Sequence, residues 1–162
     1  MSVRMRVENF AWIWFDRGMK MRVENEAEMV AFGEKVAGML GVGAQIELVG
    51  DVGAGKTTFV KGLARGLGVE EVVSSPSFVI NKKYVTRTNG MLSHYDFYRL
   101  EDPGVMAMEL SEAMNEGAIV VVEWGESVSG VMSDDRVRVG IGFREDGGRD
   151  VEVSGLSGEE RA

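Results

Sequence analysis

Residues 50–57 read GDVGAGKT, a match to G-x-x-x-x-G-K-[ST]. The pattern works in one local geometry: a strand delivers the chain to a glycine-rich turn, and a helix begins at its end. Glycines let backbone N–H groups turn inward around phosphate oxygens, where a side chain would clash. The helix N-terminus adds partial positive charge. Both flanks fit. "AQIELVG" brings Ile46, Leu48 and Val49 as strand material. Phe59, Val60, Leu63, Ala64 and Leu67 then recur on one helical face, and Gly68 stops it. The residues that would surround a nucleotide's phosphates are Asp51, Val52, Gly53, Ala54, Gly55, Lys56, Thr57 and Thr58. Lys56 is expected to reach the β- and γ-phosphates of ATP, and the Thr57 hydroxyl to ligate Mg²⁺. The plainer alternative is a glycine-rich turn with an incidental lysine, which the predicted strand and helix on either side disfavour.

A second stretch, "AIVVVEWGE", sets an unbroken apolar run, 118–122, before Glu123 and Trp124. Such a run without alternation predicts a strand buried on both faces. Nucleotide hydrolases with a phosphate loop place an acidic residue at the end of a second buried strand, beside Mg²⁺. Glu123 stands where that residue is needed. The alternative is a solvated carboxylate, with Trp124 as a core plug. Residues 78–86 and 91–96 read as a hairpin around the turn signal "TNG". Within "HYDFY", His94, Asp96 and Tyr98 share one face. Asp96 is the better candidate for positioning metal and water, and His94, the single histidine, reads as a satisfied structural group. Lys82 and Lys83 read as a solvated strand surface. A helix is expected from residue 25, where Asn25 and Glu28 have capping-box spacing. Met29, Phe32, Val36 and Leu40 form its apolar face. A C-terminal hairpin is expected over 134–155.

At 162 residues the chain suits one domain. The absence of cysteine excludes disulfides and thiolate chemistry. A net charge of −8 makes it a poor non-specific binder of nucleic acid, so contact with RNA is expected to run through a partner. No apolar stretch approaches the ~20 residues of a membrane span. "MSVRMRVENF" lacks the apolar core of a secretory signal, and a cytoplasmic location is expected. The 11 methionines read as adaptable core filling. "MRVEN" occurs at 5–9 and again at 21–25. Residues 1–18 are therefore expected to be an extension, with Phe10, Trp12, Trp14 and Phe15 available for an extra edge strand. The domain itself is placed at 19–156, followed by a short polar tail, 157–162.

The guanine-reading pattern Asn-Lys-x-Asp is missing: "NKKY" puts Tyr84 where the aspartate belongs. No arginine cluster that would form a kinase lid lies between the phosphate loop and Glu123. "GDVGAGKTTFVKGLARGLG", "SPSF", "HYDFYRLEDP" and "VVVEWGE", in this order, resemble the bacterial tRNA threonylcarbamoyladenosine biosynthesis ATPase family, TsaE, formerly YjeE, over residues 21–155. The resemblance implies an α/β P-loop fold, a central sheet flanked by helices with a C-terminal β-hairpin. It implies Mg²⁺-dependent ATP hydrolysis supporting the TsaB and TsaD proteins, which modify adenosine 37 of tRNAs reading ANN codons. It further implies that Lys56 and Thr57 hold phosphates and metal, that Glu123 faces Mg²⁺, and that Trp124 lies close to the nucleotide. Asp96 is implied in hydrolysis, Ser75 to Phe78 in a switch-like segment, and Glu26 in an adenine-side contact. Two positions depart from the family: Ser77 replaces threonine in Ser-Pro-Thr, and Gly125 replaces proline after Glu-Trp. Two alternatives stay open, a stand-alone kinase of a small acceptor and a nucleotide-gated binding module with negligible turnover.

Overall fold

An apolar strand without alternation needs cover on both faces, and the structure provides it. The computed structural model describes residues 18–98 and 100–156, together with the backbone of two N-terminal strands. The strands are β1 (Val3–Val7), β2 (Phe10–Phe15), β3 (Gly18–Val23), β4 (Gln45–Val49), β5 (Asn81–Val85), β6 (Met91–Asp96), β7 (Ile119–Glu123), β8 (Val137–Phe143) and β9 (Arg149–Ser154). The helices are α1 (Glu26–Met39), α2 (Lys56–Gly66) and α3 (Gly104–Asn115). One sheet runs β1-β2-β3-β9-β8-β4-β7-β6-β5. Its centre is parallel: β4 pairs with β7 and β8, and β6 pairs with β7. The flanks are antiparallel.

The alternation of β7 explains the valine run. Val121 joins a core of Met29, Phe32, Val36, Phe59 and Leu63 beneath α1 and α2. Val120 and Val122 point the other way, into a second core with Tyr95, Leu110 and Ala113 beneath α3. Each face of the strand therefore meets a helix layer, and no position is left for a polar residue until Glu123. The C-terminal hairpin forms as expected, but it also extends the main sheet through β8. Arg136 on the approach to β8 donates to Glu47 of β4 at 2.6 Å, a partly buried charged pair across that seam.

Several local expectations need correction. Strand β5 begins at Asn81, not 78, because Val79 and Ile80 close a turn on the Pro76 carbonyl and Ile80 adopts φ 68°. Lys82 and Lys83 are not merely solvated: Lys82 Nζ donates to Ser74 Oγ, and Lys83 lies 3.2 Å from Glu109. The capping box on α1 is shifted. Asn25 Oδ1 accepts from Glu28 N at 2.9 Å, but Glu28 returns to Glu24 N at 2.7 Å. Helix α3 carries a weak sequence signal, since Val105 and Met108 stay exposed while Leu110 and Ala113 are buried. Strand β3 takes Met19, Met21 and Val23 into the core, with Met19 opposite Val153 and Met21 opposite Val151.

Candidate phosphate-binding site

Parallel strands leave their C-terminal ends on one edge, where α/β sheets collect ligands. Here β4, β7 and β6 end together, and their next residues are the glycine loop, Trp124 and Phe97. The loop conformation needs its glycines: Gly53 has φ 81° and Gly55 has φ 110°. Ala54 N donates to the Asp51 carbonyl at 3.0 Å, and α2 begins at Lys56 with Gly55 as its N-cap. Asp51, Val52 and Gly53 are exposed, Gly55, Thr57 and Thr58 are half-buried, and Ala54 is buried. The expected strand–loop–helix geometry is therefore present.

Lys56 is buried and its ammonium lies inside the loop. Nζ donates to the carbonyls of Gly50 at 2.5 Å and Asp51 at 3.1 Å. Its third neighbour is the Trp124 ring, 4.9 Å away. Trp124 itself has φ 56° and ψ 49°, a left-handed conformation uncommon for a bulky residue, and a 3₁₀ turn, Gly125–Val128, follows it. The indole packs on Tyr98 at 4.8 Å between ring centroids. Gly125, where the family has proline, is buried, and a Cβ there would lie 3.1 Å from Val122 Cγ1.

Glu123 is 3% exposed, so it is not a solvated carboxylate. It stands in register with Leu48 of β4 and Asp96 of β6, which sets two acids opposite one another. Its Oε1 lies 3.1 Å from His94 Nε2. His94 is fully buried, and among the described residues its Nδ1 has no hydrogen-bond partner. The histidine is thus only half satisfied, and it touches the site. Donation from Nε2 to the carboxylate would hold one Glu123 oxygen and leave the other free. Asp96 is held on both oxygens, by Ser77 Oγ at 2.8 Å and Tyr98 N at 2.9 Å. Ser77 keeps the hydroxyl that this contact requires, and it is joined to Ser75 Oγ at 2.6 Å. The Ser75–Ser77 segment is thereby tied to Asp96.

Glu26, exposed in the first turn of α1, borders a cavity of about 250 Å³ together with Asn25, Met29, Gly53, Gly55 and Thr58. Phosphate-loop residues line this cavity, and Trp124 does not. Arg149 also borders it and touches the loop backbone. Sequence reading missed Arg149, Tyr98 and the His94 contact. Nothing local to residue 149 signals a contact 95 residues away.

Comparison with known proteins agrees with this geometry. A family model described as "Threonylcarbamoyl adenosine biosynthesis protein TsaE" matches residues 23–151. The Bacillus subtilis protein of that name is 36% identical over 125 residues, covering 76% of this chain and 77% of the relative. The Streptomyces coelicolor protein of that name is 38% identical over 136 residues, covering 79% and 90%. A crystal structure of Bacillus subtilis YdiB superposes with a TM-score of 0.72 at 29% identity, covering 87% of each chain. With a phosphate loop at the head of its parallel strands and a family match spanning most of its length, the chain belongs to the TsaE family.

Proposed function

We propose that this chain is a Mg²⁺-dependent ATPase that acts in the cytoplasm and supports TsaB and TsaD in making threonylcarbamoyladenosine on tRNA. The observation that supports it most is the joining of Lys56, Glu123 and Asp96 at one sheet edge. In hydrolysis a water oxygen attacks the γ-phosphorus and the bond to the ADP oxygen breaks, with charge spread over the phosphoryl oxygens. Lys56 exchanges its carbonyl partners for β- and γ-phosphate oxygens. The loop N–H groups hold the remaining oxygens. Thr57 and Glu123 are the residues that would hold Mg²⁺. Among the described residues no three His, Cys, Asp or Glu side chains gather into a metal cluster. One threonine hydroxyl and one carboxylate fit an ion which keeps waters and takes only one or two protein groups beside substrate phosphates. Held there, Mg²⁺ would supply positive charge that neutralises the charge developing on the phosphates. Asp96, fixed by Ser77 and Tyr98, orients the attacking water. The net charge of −8 leaves tRNA to be reached through the partner proteins.

The deciding experiment measures ATP hydrolysis with and without purified TsaB, TsaD and tRNA. Turnover that rises in the full mixture supports the reading. Tight ATP binding with no turnover in any mixture would indicate a nucleotide-gated module, and phosphoryl transfer to a small acceptor would indicate a kinase. Lys56→Ala is the control. It removes the charge facing the phosphates, so ATP affinity should fall below detection by calorimetry while the circular dichroism spectrum stays native. Unchanged affinity overturns the phosphate-loop assignment.

A further inference from the structure

Arginine presents five N–H donors in a rigid plane, so a single side chain can tie several backbone carbonyls together. Arg149, the first residue of β9, does this across two loops. Its Nε donates to the Ala54 carbonyl at 3.0 Å, and Nη2 to the Gly53 carbonyl at 3.4 Å. Nη1 donates to the carbonyls of Gly147 at 2.8 Å and Gly148 at 3.1 Å, in the β8–β9 turn. The guanidinium carbon stands 4.5 Å from the centroid of the Phe143 ring. Among the described residues its hydrogen-bond partners are carbonyl oxygens, not carboxylates.

We propose that Arg149 is a positioning residue that pre-sets the phosphate loop for anion binding. The inference rests on the reading that this loop binds nucleotide phosphates. In a trans peptide the carbonyl and the following N–H point in opposite directions, and no bond among the described residues is cis. Drawing the Gly53 and Ala54 carbonyls toward the guanidinium turns the Ala54 and Gly55 N–H groups to the other side. Ala54 N–H closes on Asp51. Gly55 N–H is left facing the hollow that a phosphate fills. Gly53 and Gly55 both hold left-handed conformations that glycine visits but does not prefer on its own. Arg149 supplies the restraint that a glycine run lacks, and it adds positive charge beside the loop. It also makes the C-terminal hairpin part of the nucleotide site.

The test uses the full chain with Arg149→Ala and Arg149→Lys. ADP, ATP and adenosine are titrated by calorimetry, and backbone amide exchange is followed by NMR. Arg149→Ala is expected to weaken ADP and ATP about tenfold to a hundredfold, the scale of lost hydrogen bonds to a charged group. Adenosine affinity should change by no more than about twofold, and exchange at Ala54 and Gly55 should quicken while the β4 and β7 amides hold. Arg149→Lys keeps the charge but not the fork, so it should fall between the wild type and the alanine variant. If the wild type binds no nucleotide, the functional reading itself fails. If the wild type binds and Arg149→Ala binds ADP equally well, the clamp is overturned. Equal losses for adenosine and ADP overturn it too, since the side chain would then serve the base. Should Arg149→Ala not fold, the same titrations on Arg149→Lys decide: wild-type ADP affinity overturns the clamp, and weakened ADP with unchanged adenosine supports it.

Discussion

Glu123 and Trp124 are neighbours in sequence with different surroundings. Glu123 is buried, bonded to His94 and opposite Asp96. Removing its charge in Glu123→Ala should lower turnover about a hundredfold to a thousandfold, the loss seen when one preorganised electrostatic group is deleted. Steady-state kinetics over a range of Mg²⁺ checks this, and normal hydrolysis in the full complex would leave Asp96 as the leading acid. Trp124 carries no charge and covers Lys56. Trp124→Ala should alter nucleotide affinity while leaving Mg²⁺ dependence nearly unchanged. In a variant with Trp12 and Trp14 replaced by Phe, ADP should change the remaining indole emission. A flat signal with nucleotide bound removes Trp124 from the site. Tyr95 behaves differently, because burial, reinforced by the Glu109 carboxylate, pushes its phenol up to about 12. A raised value favours the folded protein at pH below the unfolded phenol's 10, and this contribution is lost as pH rises toward 12. Stability measured by chemical denaturation should therefore fall between those values, and Tyr95→Phe should lack that decline.

At the scale of elements, the helix pair above the phosphate loop depends on glycine for close approach. A Cβ on Gly62 of α2 would lie 2.1 Å from the Val30 carbonyl oxygen of α1. One on Gly33 of α1 would lie 2.4 Å from the Phe59 carbonyl oxygen. Helix propensity favours alanine over glycine by about 1 kcal/mol. Overpacking against rigid backbone costs about 1–3 kcal/mol, and contacts this short belong at the upper end. Sterics therefore win, and Gly62→Ala should lower the unfolding midpoint in a denaturant titration. A stabilised variant would show that the two helices have room to separate. Because α2 starts at Lys56, the same separation should weaken ATP binding. Strand β7 illustrates the converse case, in which the sequence run and the element agree. Its end at Glu123 is sharp because Trp124 leaves extended geometry for a left-handed one.

Over the whole molecule, the sheet has a parallel centre at the candidate site, one antiparallel strand beyond β6, and a longer antiparallel flank beyond β8. Strands β1 and β2 lie at the far end of that flank, separated from β4 by β3, β9 and β8. We propose residues 19–156 as the unit that binds and hydrolyses nucleotide. Deleting 1–18 should leave both activities nearly unchanged, because the β3–β9 pairing from Met19 onward is retained. The new edge would carry Lys20 and Arg22, charges that discourage edge-to-edge association. A truncated chain that folds but binds no ATP would make the N-terminal strands part of the site. No helix among the described residues is long and apolar enough to cross a membrane.

The amino-acid sequence alone determined the phosphate loop, the buried strand ending at Glu123 and the C-terminal hairpin. Each is written in neighbouring residues, because turn chemistry, helix starts and hydrophobic period act over a few positions. Asn25 as a cap and Gly55 before α2 were legible for the same reason. Helix α3 was not, because its exposed Val105 and Met108 blur the period that Leu110 and Ala113 would otherwise mark. Tertiary structure decided what meets across the sheet. Register put Asp96 beside Glu123, the fold of β6 put His94 against the carboxylate, and β9 carried Arg149 to Gly53 and Ala54. Those contacts join positions far apart in the chain. Their partners are chosen by strand order and packing, which depend on every buried residue at once and leave no mark in the residues nearby.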